Sequence, residues 1–327
     1  TEFYTHPTAL PQVAQSSIKQ DLHRRDFTIN TLAIRLDPDH WGELLDFYGG
    51  EEDLEEGIIR VLHSLSFIDD PTRVLRAARL ESRLGFHLDP RSEELIEDAL
   101  PLLKRVSGDR IRHELELIFR EAEPERALCR LDELNALSHI HPDLKCDRWL
   151  KTRYRKLRRH LDAEKWELDS EDMVFLHLAL LAYRLAEEEL QALGERLKVK
   201  REVEEDLLLV DNLQQRVPEL LELNRPSEIS HFLQPYPARV LAVVWTATDS
   251  RAVQERLLRY QTEWRFIESE LTGDELKAMG LEPGPLLGHL LRELRDARLN
   301  GEVSTEEEET ALIERMLAAN DLLEEER

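Results

Sequence analysis

The sequence predicts a mainly α-helical protein with a small α/β part at its N-terminal end. Charged residues make up 34% of the 327 positions, aromatic residues only 6%, and strand-like alternation is confined to the N-terminal part. This balance is typical of helix-rich globular chains. A chain of this length can form two or three compact units with sizeable cores.

The strand prediction depends on two short segments. Residues 31–36 alternate between apolar and polar types, with Leu32, Ile34 and Leu36 on one face, which predicts a half-buried strand. Residues 43–47 predict a second strand. Because turn residues at 37–40 separate the two segments, we expect them to pair as a hairpin.

Beyond these strands the sequence predicts helices. Asp70 at a cap and Pro71 at a first helical position predict a helix start, and Gly85 predicts its end. Ser107 opens another helix that continues to about Arg120. Further helices, separated by Pro, Gly, Asn and Asp, fill the rest of the chain.

The cysteines and the hydropathy indicate the compartment. Cys129 and Cys146 lack the spacing of a metal site, so we expect reduced thiols rather than a disulfide framework. No apolar run approaches the ~20 residues that a membrane-spanning helix needs. The sequence therefore predicts a cytoplasmic protein without a membrane partner.

The charge distribution leaves two interpretations of one segment open. The net charge of −24 argues against non-specific nucleic-acid binding as the main activity, since that binding comes from Lys and Arg on phosphates. Residues 145–160, however, are strongly basic and contain a single acid, Asp147. This segment is either a stripe that seats an RNA backbone or a solvated helix face.

Polar residues crowd together where the first predicted strand begins. Arg24, Arg25, Asp26 and Asn30 surround the apolar Phe27. Guanidinium groups pair with phosphate oxygens, and Asp or Asn can hold ribose hydroxyls, so one interpretation is a site for a sugar and its phosphates. The alternative is a structural ion pair at the strand entrance.

Asp70 and Arg73 form a second candidate pair. Their spacing of three residues at a helix start places them on one face, where a plain salt bridge is the simpler interpretation. Asp offers only acceptors and Arg only donors, so together they complement an amino group beside a ring nitrogen. Cytosine and adenine present that edge, whereas uracil and guanine present the opposite polarity, so the pair could select CTP and ATP.

Four motifs in order make the chain similar to a known family. Residues 24–30 resemble the ribose-recognition motif of class II tRNA nucleotidyltransferases and bacterial poly(A) polymerases, and residues 46–50 resemble the motif that flexes between head and neck. Residues 69–79 resemble the amino-acid template that selects the base, with Asp69 in place of the usual Glu. Residues 107–115 resemble the last neck motif, which braces the template helix.

The resemblance implies a domain order and a reaction. Residues 1–62 would be the C-terminal part of a polymerase-beta-like palm, or head; residues 63–125 a nucleotide-selecting helical neck; and residues 126–327 a helical body and tail that bind tRNA. The reaction would transfer CMP and/or AMP from CTP or ATP to the tRNA 3′ end, with Mg²⁺ as the metal. The family's metal-binding carboxylate motif is absent and is expected upstream of Thr1, so these residues alone are expected to be inactive.

The resemblance, together with the basic segment 145–160, predicts roles for individual residues. No catalytic residue and no metal ligand is expected in this chain, and three alternatives stay open: a poly(A) polymerase, an RNA-binding module that has lost its metal site, and a purely helical scaffold. The assigned residues are Asp70 and Arg73 for the base; Arg25, Asp26 and Asn30 for ribose and triphosphate; Arg76 for phosphate; Asp69, Arg79, Arg110 and Glu114 for neck support; and Lys151, Arg155, Arg158 and Arg159 for tRNA.

Overall fold

The computed structural model describes residues 17–325, with side chains up to residue 318, and the strands Glu2–Phe3 and Gln12–Val13. Within these residues the chain is mainly helical with short strands, which confirms the predicted fold class. The chain divides into two compact units, residues 1–160 with 170–208 and residues 161–169 with 209–327. This division does not test the predicted domain limits, which stay predictions.

The strands of the described chain form two-stranded pairs in the first unit. The predicted hairpin is confirmed, but its predicted buried face is wrong, because Ile34 is 62% exposed and Leu36 is 69% exposed. The alternation of apolar and polar residues predicted the strand correctly, but it could not show whether other residues pack on the apolar face. The pairs are β1 (Glu2–Phe3) with β2 (Gln12–Val13), antiparallel; β3 (Ala33–Ile34) with β4 (Leu44–Leu45), antiparallel; and β5 (Ile58–Ile59) with β6 (His87–Leu88), parallel.

The segment that precedes β3 packs closely on the next helix. Helix α1 (Ile18–His23) leads into it, and a 3-10 turn (Thr28–Asn30) ends it. Helix α2 (Gly50–Glu56) follows β4, and a Cβ at Gly50 would overlap the carbonyl oxygen of Thr28. Only glycine permits this approach of two backbones, which fixes α2 against the turn.

Two helices meet at Asp70. Helix α3 (Ser66–Asp69) ends there, and α4 (Arg73–Leu84) begins three residues later and ends at Gly85 in the left-handed conformation, as predicted. The start differs from the prediction, because Pro71 and Thr72 form a turn before the helix. Asp70 still provides a hydrogen-bond acceptor at the start of the helix, since its carboxylate accepts from the backbone N–H of Thr72 at 3.1 Å.

Helix α4 belongs to the core of the first unit, and its residues Val74, Leu75, Ala77 and Ala78 are fully buried. It packs against the helices Gly108–Phe119 and Pro124–Glu133. The helices that follow α4 in this unit run up to its boundary with the second unit, which falls between residues 208 and 209, inside the last of them. In order, these helices are α5 (Pro90–Glu94), α6 (Ile96–Leu103), α7 (Gly108–Phe119), α8 (Pro124–Glu133), α9 (Ala136–Ile140), α10 (Arg148–His160), α11 (Ser170–Ala182), α12 (Glu187–Leu197) and α13 (Arg201–Gln215).

The prediction of unpaired cysteines is wrong. Cys129 on α8 and Cys146, in the loop before α10, form a disulfide with Cα atoms 4.8 Å apart. Both residues are buried, at 7% and 9% exposure. The sequence contained no signal for this pairing, because spacing alone does not show that a helix and a distant loop come together.

The second unit has its own helical core. Leu276, Leu294 and Ile313 are fully buried in it, and the buried Glu309 accepts from the backbone N–H of Leu271 at 2.8 Å and from Arg298 at 2.7 Å. The helices are α14 (Val217–Glu222), α15 (Pro226–Leu233), α16 (Ala238–Ala247), α17 (Arg251–Thr262), α18 (Gly273–Ala278), α19 (Pro285–Leu299) and α20 (Glu306–Glu325), with a 3-10 turn at Trp264–Phe266. Within the described residues, no helix combines the length and apolar character needed to cross a membrane.

Candidate functional site

A polar cleft of about 450 Å³ lies between the segment 24–30 and the start of α4. This volume is in the range of small-molecule sites. The six residues predicted to bind nucleotide come together in its lining, although their role in binding stays a prediction. The lining residues are Arg24, Arg25, Asp26, Asn30, Asp70, Arg73 and Arg76.

The floor of the cleft is an ion pair between a buried carboxylate and a partly exposed guanidinium, one from each wall. Asp26 is 8% exposed and its Oδ2 accepts from Nε and Nη2 of Arg76 at 2.8 and 2.6 Å, while its Oδ1 accepts from Asn30 at 2.8 Å. Burial alone would raise the pKa of the Asp26 carboxyl. The hydrogen bond from Asn30 and the charge of Arg76 outweigh burial and lower that pKa below 3.8.

Asp70 is held on both of its carboxylate oxygens. Its Oδ1 accepts from the N–H and the hydroxyl of Thr72, at 3.1 and 2.7 Å, and its Oδ2 accepts from Nη2 of Arg110 at 2.8 Å. A carboxylate oxygen has two acceptor positions, so Oδ1 is saturated and Oδ2 retains one. The predicted base-selecting acid therefore has one free acceptor position.

Arg73 is also held at two points. Nη2 donates to the carbonyl oxygen of Arg24 at 2.9 Å, and Nη1 donates to the hydroxyl of Ser66. Both Asp70 and Arg73 line the cleft, on the side opposite the segment 24–30. Sequence analysis missed Ser66 and Thr72 because neither is charged, although Thr72 lies at the local spacing from Asp70 at which Asp side chains commonly bond the backbone.

The outer part of the cleft carries exposed guanidiniums. Asp21, on α1, pairs with Arg24 at 2.6 Å and with Arg25 at 3.6 Å, and all three side chains are between 32% and 49% exposed. The hydrogen bond from Arg24 lowers the pKa of the Asp21 carboxyl. Exposed pairs of this kind contribute little stability, so a phosphate can replace Asp21 at low cost.

The residues predicted to support the neck form a second layer behind the cleft. Arg76 reaches Oε1 of Glu114, on α7, at 3.5 Å, and Arg79 pairs with Glu121 at 3.3 Å. Burial raises the pKa of the Glu114 carboxyl more than Arg76 and Arg79 lower it. Asp69 differs from this group, since it is exposed and lies 4.0 Å from Nε2 of His63.

The basic segment forms helix α10, whose apolar face is buried within the first unit. Lys151, Arg155 and Arg159 are exposed on this helix. Arg158 differs, because it pairs with the buried Glu125 of α8 at 2.8 Å. The exposed basic residues fit both a stripe for an RNA backbone and a solvated helix face, so the two interpretations of the segment stay open.

The fold is that of the nucleotidyltransferase class of proteins. The model of the family described as "Poly A polymerase head domain" matches residues 1–60, and that of "Probable RNA and SrmB- binding site of polymerase A" matches residues 85–147. A CC-adding tRNA nucleotidyltransferase of Deinococcus radiodurans is 31% identical over 98% of this chain and 72% of its own length. The chain belongs to the family of tRNA nucleotidyltransferases, as the four motifs predicted.

Other relatives and solved structures agree with this membership. An A-adding tRNA nucleotidyltransferase of Geobacter sulfurreducens is 38% identical over 96% of this chain, which spans 37% of that relative's length. A structure of an apo CCA-adding enzyme matches with a TM-score of 0.81 at 30% identity, covering 97% of this chain and 75% of that chain. A Thermotoga maritima CCA-adding enzyme complexed with tRNA matches with a TM-score of 0.77 at 29% identity, covering 92% and 74%.

Nucleotidyltransferases of this family use a divalent metal, and the cleft does not fit one. Among the residues whose side chains are described, no group of three or more His, Cys, Asp or Glu residues could hold a metal ion. The carboxylates of Asp26 and Asp70 instead accept from guanidinium, amide and hydroxyl donors, and Asp70 retains a single free acceptor position. The described side chains of the cleft therefore provide no metal-binding group.

The Asp26–Arg76 pair gives a prediction for stability. Asp26→Asn removes the buried charge and leaves Arg76 with only its 3.5 Å contact to Glu114, so we expect the free energy of unfolding at pH 7 to fall by about 3 kcal/mol. Because the pKa of Asp26 is lowered in the folded chain, its stabilisation is present above pH 3.8 and is lost as the pH falls below that value. Urea unfolding from pH 7 to pH 3 should therefore show the parent and the variant converging in acid.

The exposed Asp274, which pairs with Lys277 within one helix, provides the control. Asp274→Asn should leave the unfolding curves close to those of the parent at each pH. A constant difference between Asp26→Asn and the parent down to pH 3 would contradict the assignment of the stabilisation to the Asp26 charge.

Proposed function

We propose that the protein transfers nucleotides, AMP in particular, from a nucleoside triphosphate to the 3′ end of tRNA and releases pyrophosphate. The observation that carries this proposal is the Asp70–Arg73 pair, held at fixed points in a guanidinium-lined cleft. AMP is favoured over CMP because relatives in Geobacter sulfurreducens, Aquifex aeolicus and Halalkalibacterium halodurans, at 38%, 32% and 29% identity, are named A-adding enzymes.

The donor and acceptor arrangement supports selection of adenine and cytosine. The one free position on Oδ2 of Asp70 can accept from an exocyclic amino group, and the unused N–H groups of Arg73 can donate to the adjacent ring nitrogen. Guanine and uracil would place a carbonyl against the carboxylate and an N–H against the guanidinium. Both polar contacts would then be lost in a partly buried site, which is the stronger form of discrimination.

The sugar and phosphates are proposed to occupy the opposite wall. Arg25 is exposed and can release Asp21 for a phosphate, whereas Asn30 keeps its carbonyl oxygen for a ribose hydroxyl. Asp26 and Arg76 are already engaged with each other, so we assign their main effect to holding this wall in place. Asp69, Arg79, Arg110 and Glu114 are proposed to support the neck, with Arg110 acting directly on Asp70.

The reaction needs groups beyond this cleft. We propose Mg²⁺ as the divalent ion, held by carboxylates outside the described residues. A tRNA substrate is consistent with a cytoplasmic location. We also propose the division into head (1–62), neck (63–125), and body and tail (126–327), to which the two family matches at 1–60 and 85–147 lend partial support.

Addition to tRNA of defined length tests the proposed activity. Full-length protein with Mg²⁺ should add one AMP to tRNA that ends at C75 and should add no CMP to tRNA that ends before C74. Denaturing gel electrophoresis of end-labelled tRNA measures both reactions as increases in tRNA length. CMP addition would identify a CC- or CCA-adding enzyme and repeated AMP addition a poly(A) polymerase, whereas binding without addition would favour a non-catalytic RNA-binding module.

Base selection is tested separately by substitution. Asp70→Ala and Arg73→Ala should each lower the preference for ATP over GTP by about 10- to 100-fold, since each removes a hydrogen bond to a charged group. Calorimetric titration with ATP, CTP, GTP and UTP measures the four dissociation constants. Arg91→Ala, on the exposed face of α5, is the control and should keep the preference.

If both cleft variants lose stability but keep the preference of the parent, the pair is structural. The helical-scaffold interpretation of the motif would then replace base selection.

Helix α10 is proposed to contact the tRNA backbone through Lys151, Arg155 and Arg159, which lie four residues apart and share one face. The helical rise of 1.5 Å per residue places successive charges about 6 Å apart, close to the separation of phosphates along a strand. Arg158 is proposed to contribute less, because Glu125 already neutralises it.

The salt dependence of tRNA binding tests this surface. Replacing Lys151, Arg155 and Arg159 together by Gln should reduce the slope of log K against log salt by about 2 to 3. Filter binding at several salt concentrations gives the slope. Arg201→Gln, a 91% exposed site on α13, should leave it unchanged, and an equal slope in the triple variant would exclude α10 from the interface.

A further inference from the structure

Ser66 lies in an unusual position for a neutral residue beside a charged cleft. It is fully buried on α3, and its hydroxyl oxygen accepts from Nη1 of Arg73. The other terminal nitrogen of Arg73, Nη2, donates to the carbonyl oxygen of Arg24 at 2.9 Å. The guanidinium is thus held between α3 and the segment 24–30, two elements other than its own helix.

Two anchors determine the orientation of a planar group. A guanidinium held at one nitrogen can rotate about that bond, whereas one held at both terminal nitrogens presents its remaining N–H groups in a fixed plane. Arg73 is joined to its helix by a long side chain with several rotatable bonds. Without the Ser66 anchor, it could turn its donors away from the base or allow a water molecule between them.

The surroundings of Ser66 leave its hydroxyl no solvent partner. The residue is 0% exposed, between Leu65 and the equally buried Phe67. Its backbone is engaged separately, since its N–H donates to the carbonyl oxygen of His63 at 3.1 Å. The hydroxyl is therefore available to Arg73, and exchange of that contact with bulk water is prevented by burial.

We propose that Ser66 is a positioning residue for base selection, which acts by fixing the plane of Arg73. This inference rests on the proposed function, because it assumes that Arg73 contacts the base. The Ser66 hydroxyl makes no contact with nucleotide itself. It keeps Arg73 pointing at the ring nitrogen, so that adenine and cytosine are separated from guanine and uracil.

The test compares Ser66→Ala with the parent in full-length protein. We expect the ratio of kcat/KM for ATP to that for GTP to fall about tenfold, the change that corresponds to loss of one hydrogen bond. Ser64→Ala is the matched control, since Ser64 lies two residues earlier on an exposed position and should keep the ratio. Ser66→Cys keeps the shape of the side chain with a slightly larger, weaker acceptor and should lower the ratio as Ser66→Ala does, which covers a failure of the alanine variant to fold.

A double variant separates positioning from a structural effect. In an Arg73→Ala background, Ser66→Ala should cause no further fall in the ATP to GTP ratio, because the group that it positions is gone. An unchanged ratio in the folded Ser66 variants, or a further fall in the double variant, would overturn the proposal. If the parent itself shows no preference for ATP over GTP, base selection by this cleft fails as a whole, an outcome distinct from failure of the Ser66 inference.

Discussion

The ion pair between Asp26 and Arg76 is the constraint on which the cleft depends. A carboxylate that is 8% exposed cannot stay ionised without a partner, and Arg76 supplies two hydrogen bonds to it from the first turn of α4. The same guanidinium reaches Glu114 on α7. One side chain therefore ties the segment 24–30, the helix α4 and the helix α7 together, and the distance between the cleft walls follows from this connection.

The charge pattern within the cleft is likewise set by residues behind it. Asp70 would be a flexible acceptor on its own, but Thr72 saturates one carboxylate oxygen and Arg110 occupies half of the other. Arg73 is restricted in the same way by Ser66 and a backbone carbonyl. Asp70 then has one free acceptor position, which lies beside the N–H groups of Arg73 that are not yet hydrogen-bonded. Under the proposed function, selectivity would come from preorganisation, because the bonds that hold the two groups are already formed in the chain without a nucleotide.

Features set by local backbone chemistry could be predicted from the sequence, and features set by distant contacts could not. The end of α4 at Gly85 and the hairpin of β3 and β4 depend on a few neighbouring residues, and both are confirmed. The exposure of Ile34, the disulfide of Cys129 and Cys146, and the pairing of Arg158 with a carboxylate 33 residues away depend on which segments meet. For the cleft, residue types and spacing identified the lining, but the anchors of Asp70 and Arg73 needed coordinates.

The guanidiniums of the cleft divide into two groups by the burial of their carboxylate partners, and under the proposed function this division would allow an acidic chain to accept a polyanionic ligand. Arg24 and Arg25 share the exposed Asp21, a pairing that solvent screens and a phosphate can replace at little cost. Arg76 cannot be exchanged in this way, since leaving Asp26 buried and unpaired would cost several times more than a surface contact returns. A net charge of −24 is therefore compatible with phosphate binding, because the local electrostatic field at the cleft depends on Arg24 and Arg25, which can exchange Asp21 for a phosphate. The Asp26–Arg76 pair would keep the cleft walls in place while Asp21 is replaced.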